Sequence, residues 1–289
     1  MTEATTFGRL SKDRHGAGCT PFRYPGGKAF LADVLGQRIS QLGETIDTYA
    51  EPYAGGAGAA IELLARGVVK KIALNDFDRR IYAAWWAMLH ETDAFIERIL
   101  ATPVTIESWK TCHEAVVERF DDAGLFELGF ATYFLNRTNH SGVIVGAGPI
   151  GGYAQNGKWL IGARYYAETM VKRVRWLGER RDSISLHNMD GLQFLRSFDH
   201  EEARRTFFLI DPPYVMAGKK LYLDAMSDLK HRDLARFLTS DCAIPNWLVT
   251  YDDCEMVESA YADATINRLP VRYTLHNRRT VNEICVSPA

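Results

Sequence analysis

The sequence predicts an α/β fold in which a mainly parallel sheet is covered by helices on both faces and an all-helical segment interrupts the alternation. Three observations predict it. Short apolar runs with strand character alternate with helical patterns over most of the 289 residues. A Gly-rich turn stands directly between one such run and a helix. From about 92 to 140 the strand patterns stop and only helical spacing remains, first in IESWKTCHEAVVERF and then in LFELGFATYFLNR.

Taken in order, residues 1–20 are polar, lack an apolar stretch and read as a flexible tail, not a signal peptide. Lys28 opens a helical pattern carried by Phe30, Leu31, Val34, Leu35 and Ile39. A short strand over 48–50 runs into the turn from Tyr53 to Gly58, then a helix over 59–65 that Gly67 stops. A second strand covers 71–74, and the helix after it sets Ile81, Trp85, Met88 and Leu89 on one face. Beyond the helical segment, a Gly-rich stretch from Ser141 to Gly157 breaks the pattern. Strand patterns resume at 184–186, 207–210, 247–250, 271–275 and 283–286. The expected organisation is a tail, one domain assembled from 21–91 and 165–289, and a helical insertion over 92–164.

Composition narrows the chemistry. Hydrophobic residues make up 47%, enough for a sizeable core. The five cysteines form no CxxC pair, which argues against a zinc site and a disulfide framework and suits a reducing, cytoplasmic setting. No apolar run is long enough to span a membrane. The net charge of −2 means that an anionic partner would have to be met by a local basic patch.

Two motifs carry chemistry. EPYAGGAG at 51–58 follows a strand and opens a helix, so its backbone N–H groups can approach a ligand closely. Asp76, at the end of the next strand, can accept both ribose hydroxyls of an adenosine-type cofactor. A nicotinamide-dependent dehydrogenase would satisfy this motif almost as well. The second motif separates the two. Phe207–Ile210 runs straight into Asp211-Pro212-Pro213-Tyr214, which sets an acid, two acceptor-only prolines and an aromatic face at the carboxyl end of a buried strand. An amino group on a planar ring fits such a site: its N–H groups meet fixed acceptors while the ring stacks on tyrosine.

The motifs FRYPGGK, EPYAGGAG, LNDFD, FLNRTNHSG and DPPY, in that order from about Phe22 to Val286, resemble the Dam-like family of DNA N6-adenine methyltransferases. The resemblance implies a Rossmann-like methyltransferase sheet with an inserted target-recognition domain, S-adenosylmethionine as cofactor and no metal. It implies that Tyr24, Lys28, Glu51, Pro52, Gly55, Gly56, Gly58, Asp76, Asp190 and Asp211 line the cofactor site, with Lys28 near the methionine carboxylate and Asp190 beside the cofactor adenine. It assigns catalysis to Asp211, Pro212, Pro213 and Tyr214. The substrate implied is double-stranded DNA whose target adenine is flipped out of the helix. A cognate restriction endonuclease is a further partner that such an enzyme can have. Arg137 and Asn139 resemble the family's DNA-facing motif. Two departures stand out: Tyr53 where the family often has Phe, and the segment 147–152, which leaves the recognised DNA sequence open.

Two basic stretches are candidates for phosphate contact: Lys172, Arg173, Arg175, Arg180 and Arg181, and then Arg272, Arg278 and Arg279. Of the first, Arg173 and Arg175 are taken as DNA-binding. Trp85, Trp86, Tyr133 and Phe134 read as core, and His113 and His140 have no metal-ligand spacing. Other readings of the same residues are a methyltransferase of RNA adenine or protein glutamine, a dehydrogenase, and a catalytically silent DNA-binding protein.

Overall fold

The structure, a computed structural model, describes residues 20–23, 28–43, 45–213, 226–240, 244–273 and 279–289, and no side chain from 269 to 282. Its strands are β1 (Thr48–Glu51), β2 (Lys71–Asn75), β3 (Ile184–His187), β4 (Thr206–Ile210), β5 (Trp247–Asp252), β6 (Thr265–Tyr273) and β7 (Arg279–Ser287). They form one sheet in the order β3-β2-β1-β4-β5-β7-β6. The first five are mutually parallel, and β7 runs antiparallel to both of its neighbours. The fold is thus the mainly parallel α/β sheet that the alternation predicts. The last strands are longer than their apolar cores suggested. β6 starts at Thr265 because an edge strand tolerates polar residues such as Asn267 and Arg268.

The central strands are buried on both faces, which is why TFFLI of β4 is continuously apolar. The period of two divides it: Phe207 and Leu209 join one core, Phe208 and Ile210 the other. The first core lies under α1 (Ala32–Gln41), α2 (Gly58–Ala65) and α3 (Arg79–His90), together with α4 (Thr92–Ala101), α5 (Ile106–Val117), α6 (Leu125–Thr138) and α7 (Ala167–Gly178). The second lies under α8 (Gly191–Arg196), α9 (His200–Arg204), α10 (Asp228–Ser240) and α11 (Glu255–Ala260).

The inserted segment supplies α4 to α6 and is a layer on the first core. Trp109, Leu128, Tyr133 and Phe134 belong to the same apolar cluster as Tyr49 and Phe207 of the sheet. The centre of the insertion is α6, buried continuously from Leu128 to Thr138. It packs on α3 through Gly129, where a side-chain Cβ would overlap the Ala83 carbonyl. Two helix backbones approach this closely only with glycine at the crossing. No described helix is long and apolar enough to cross a membrane.

Candidate active site

The strand order places the two motifs side by side. From β1 the chain moves outward through β2 to β3, then crosses back to β4 on the other side of β1. The direction of winding therefore reverses between β1 and β4, and open α/β sheets bind ligands in the crevice at the carboxyl ends of such a pair. EPYAGGAG leaves β1 there, and Asp211 leaves β4 there.

The β1 turn is tightly held. Gly55 and Ala57 have φ of 47° and 45°, the left-handed region, before α2 starts at Gly58. The Gly55 N–H donates to Asp76 Oδ2 at 2.8 Å, and the Trp85 indole N–H donates to the Gly55 carbonyl at 2.9 Å. Trp85 is thus core, with one polar task. The Thr20 hydroxyl donates to the Gly56 carbonyl. Gly58 is buried, and a Cβ there would sit 3.1 Å from the Ala29 side chain. Glu51 is buried at the end of β1, accepting from the Tyr49 hydroxyl at 2.9 Å and the Ala60 N–H at 3.2 Å. Burial pushes its carboxyl up to about 8. Pro52 is buried beside it, and the Asn75 amide donates to its carbonyl at 2.8 Å and to that of Met189 at 2.9 Å.

Asp76 follows β2 and also accepts the Asp78 N–H, at 3.0 Å. Desolvation drives its carboxyl up to about 7 against these two amide donors. The next residue, Phe77, is exposed (56%), and the Lys230 ammonium lies 5.8 Å from its ring centre. Across the crevice Asp190 caps α8 through the Leu192 N–H at 3.0 Å and pairs with Lys230 at 3.0 Å. Its partial burial is outweighed by Lys230, which keeps this carboxyl below the usual range. A Cβ at Gly191 would strike the Tyr53 ring, so the two motifs meet through a glycine.

Asp211 is the centre of charge. The Thr250 hydroxyl of β5 donates to Oδ1 at 2.6 Å, and the Lys28 ammonium lies 3.0 Å from Oδ2. Lys28 also stands 3.6 Å from Glu283 Oε1 of β7. Burial opposes the Lys28 ammonium, but the two carboxylates prevail and hold it above the usual lysine range. Burial raises the Asp211 carboxyl, although Lys28 and Thr250 both pull it down. Lys28 therefore lies on the acid of DPPY, a placement its motif did not disclose. Pro212 is buried and Pro213 half-buried. Tyr24 and Tyr214 lie outside the described residues.

The segment 20–23 straps the insertion to this site. The Asn136 amide of α6 clamps the Arg23 backbone, accepting its N–H and donating to its carbonyl, both at 2.9 Å. Phe22 packs between Trp85 and Tyr133, 5.3 and 5.8 Å between ring centres. Arg137 is buried; it donates to the Arg164 carbonyl at 2.6 Å and to that of Pro21 at 3.4 Å. Asn139 is fully buried, donating to the carbonyls of Val143 and Ile144 and accepting the Trp109 N–H. These two side chains, expected to face DNA, are buried and hold the root of the Gly-rich loop through bonds within the chain, as polar groups this deep require. Arg173 is half-buried and donates to the Thr20 carbonyl at 3.0 Å, whereas Arg175 is exposed. Burial, then Arg137 and Arg164, bring the Arg23 guanidinium down to about 10.

Glu283, Thr250 and Lys230 escaped the motif reading, and Phe77 stood inside LNDFD with no role assigned to it. Only the position of Phe77, after an acid at a strand end, gave a signal. No group of His, Cys, Asp and Glu suited to a metal occurs among the described residues.

A family model described as D12 class N6 adenine-specific DNA methyltransferase matches residues 24–275. Among solved structures the chain is similar to the rRNA methyltransferase aviRa from Streptomyces viridochromogenes. The identity is 14% and the TM-score 0.38, with 99% of this chain and 90% of that one covered. No curated protein sequence matches the chain.

Proposed function

The chain belongs to the D12 class N6 adenine-specific DNA methyltransferases, and from that membership we propose that it transfers a methyl group from S-adenosylmethionine to a target adenine held at Asp211. The observation that carries this reading is the Asp211 carboxylate at the strand switch point, fixed by Thr250 and Lys28. The residues present suit an adenosine-type cofactor. Asp76 offers a carboxylate beside the β1 turn, and the exposed Phe77 offers a ring face next to it. When bound, the cofactor supplies an electrophilic methyl on a sulfonium sulfur.

The adenine amine is a weak nucleophile because its lone pair is delocalised into the ring. Asp211 and the Pro212 carbonyl accept its two N–H groups, which favours a tetrahedral nitrogen and localises the lone pair. The same acceptors meet the positive charge that develops on nitrogen, and they are fixed before the reaction starts. Orientation of amine and methyl supplies much of the rate. Reaching these groups requires the base to leave the duplex, with Tyr214 as its stacking partner.

The DNA surface is the loop that Arg137 and Asn139 root. The Asn139–Pro149 bridge and the Gln155 amide, which donates to the Ile150 and Gly152 carbonyls, hold this loop in shape. Yet it leaves Tyr153 and Trp159 largely exposed, with Lys158, Arg164 and Arg175 exposed nearby in sequence. Aromatic faces among cations suit bases and phosphates.

The test is incubation with labelled S-adenosylmethionine and plasmid DNA, followed by detection of N6-methyladenine. Wild type labels the DNA, and Asp211→Ala loses at least about a hundredfold in rate, as expected when a fixed transition-state partner is removed. An Asp211→Ala enzyme as active as wild type overturns the reading.

A further inference from the structure

The crevice is bordered by an ion pair whose cation no motif contains. Lys230 stands in the first turn of α10, and its ammonium lies 3.0 Å from Asp190 Oδ2 and 5.8 Å from the centre of the exposed Phe77 ring. The two side chains are 57% and 31% exposed, and pairs this open to solvent add little to stability. Asp190 does not need the lysine in order to cap α8. Its Oδ1 already accepts the Leu192 N–H at 3.0 Å and the Gln193 N–H at 3.4 Å. Oδ2 is left for the crevice, with the ammonium beside it.

The pair is held from behind. His231, next in the chain, is buried, and its Nδ1 lies 2.9 Å from the Tyr251 hydroxyl of β5. Met226, just before α10, places its sulfur 3.8 Å from the Tyr53 hydroxyl, and Tyr53 packs closely on Gly191, the residue after Asp190. The Asn188 amide donates to the Asp76 carbonyl at 2.7 Å and to the Phe77 carbonyl at 3.1 Å, which ties the turn after β2 to the turn after β3. A ring face, a carboxylate oxygen and an ammonium are thereby presented together by anchored segments. The carboxylate is acceptor-only and the ammonium donor-only. An acceptor and a donor 3.0 Å apart complement one edge of adenine, where the amino group donates beside a ring nitrogen that accepts. The amide of an asparagine reads the same edge with the same two roles.

We infer that Lys230 is a specificity-determining residue for the cofactor: its ammonium donates to the ring nitrogen beside the adenine amino group, while Asp190 Oδ2 accepts from the amino group itself. The inference rests on the reading of this crevice as the adenosine site. Asp190 alone selects for an amino group. Joined by Lys230, it selects for an amino group with an adjoining ring acceptor, and two unlike contacts fix which way the ring lies against Phe77.

Calorimetry with S-adenosylhomocysteine, the demethylated cofactor, and with its 1-deaza and 7-deaza analogues tests this without turnover. Each analogue replaces one ring nitrogen flanking the amino group by C–H. In wild type, one of the two should bind about tenfold more weakly than the parent compound, the order expected when a hydrogen bond from a charged donor is lost. Lys230→Met keeps a long unbranched side chain and removes the donor. Because Lys230 is mostly exposed, the variant leaves the core intact. It should bind the parent compound about tenfold more weakly than wild type does, and should bind that analogue and the parent equally to within about twofold. Lys230→Arg retains a cationic donor and should recover part of both effects. Equal discrimination by wild type and Lys230→Met overturns the inference. So does a wild type that discriminates against neither analogue, or a Lys230→Met variant that binds the parent as tightly as wild type. A wild type that binds none of the three compounds would instead overturn the adenosine reading of the crevice.

Discussion

Asp76 carries a carboxyl that burial has brought into the physiological range, at about 7, so the proposed role of Asp76 as acceptor for the cofactor ribose makes cofactor binding depend on pH. Only the ionised form accepts from both hydroxyls. Cofactor affinity should therefore rise with pH up to about 7 and fall about tenfold per unit below it. Asp76→Asn should bind more weakly and lose the pH dependence, as calorimetry from pH 5.5 to 8 would register. Glu51 acts on stability instead. Its folded-state pKa, about 8, lies above the unfolded value, so the native state binds the extra proton between the two. Stability from this group is greatest in acid and declines as pH rises through that window. Glu51→Gln removes the decline. The melting temperature of the variant relative to wild type should climb as pH goes from about 5 to about 8, and a constant difference would contradict the buried, protonated carboxyl.

At the scale of elements, the contact of α3 with α6 depends on Gly129. Gly129→Ala places a methyl group against the Ala83 carbonyl, so the helices must separate. The expected loss is about 1–3 kcal/mol of unfolding free energy by urea titration, the usual cost of overpacking. The sequence signalled the helices, and it signalled the switch-point strands through their apolar runs and the glycines after β1. It did not signal that α4 to α6 share a core with the sheet, because periodicity shows which face of a helix is apolar and not what that face meets. The same limit hid Glu283 and Thr250. Each stands in a β strand among apolar neighbours and reaches Asp211 or Lys28 only through pairings between strands distant in sequence. Arg137 and Asn139 show the opposite case: the motif was legible, but whether its polar groups point outward or hold the loop from beneath depends on packing.

The whole molecule has a net charge of −2, so its attraction for DNA must be local. Replacing Lys158, Arg164 and Arg175 together with alanine should weaken DNA binding and lower the slope of log affinity against log salt by up to about three. Cofactor affinity should stay unchanged. Filter binding between about 50 and 200 mM salt would measure this, and a wild-type slope would move the DNA surface off the loop.

The trio of Lys28, Asp211 and Glu283 also spans the chain from its first described helical turn to its last strand. β7 enters the sheet between β5 and β6, so the sheet stays incomplete until β7 is in place. A ribosome-bound chain halted before Glu283 would hold every recognisable motif and still lack both that carboxylate and the strand that carries it.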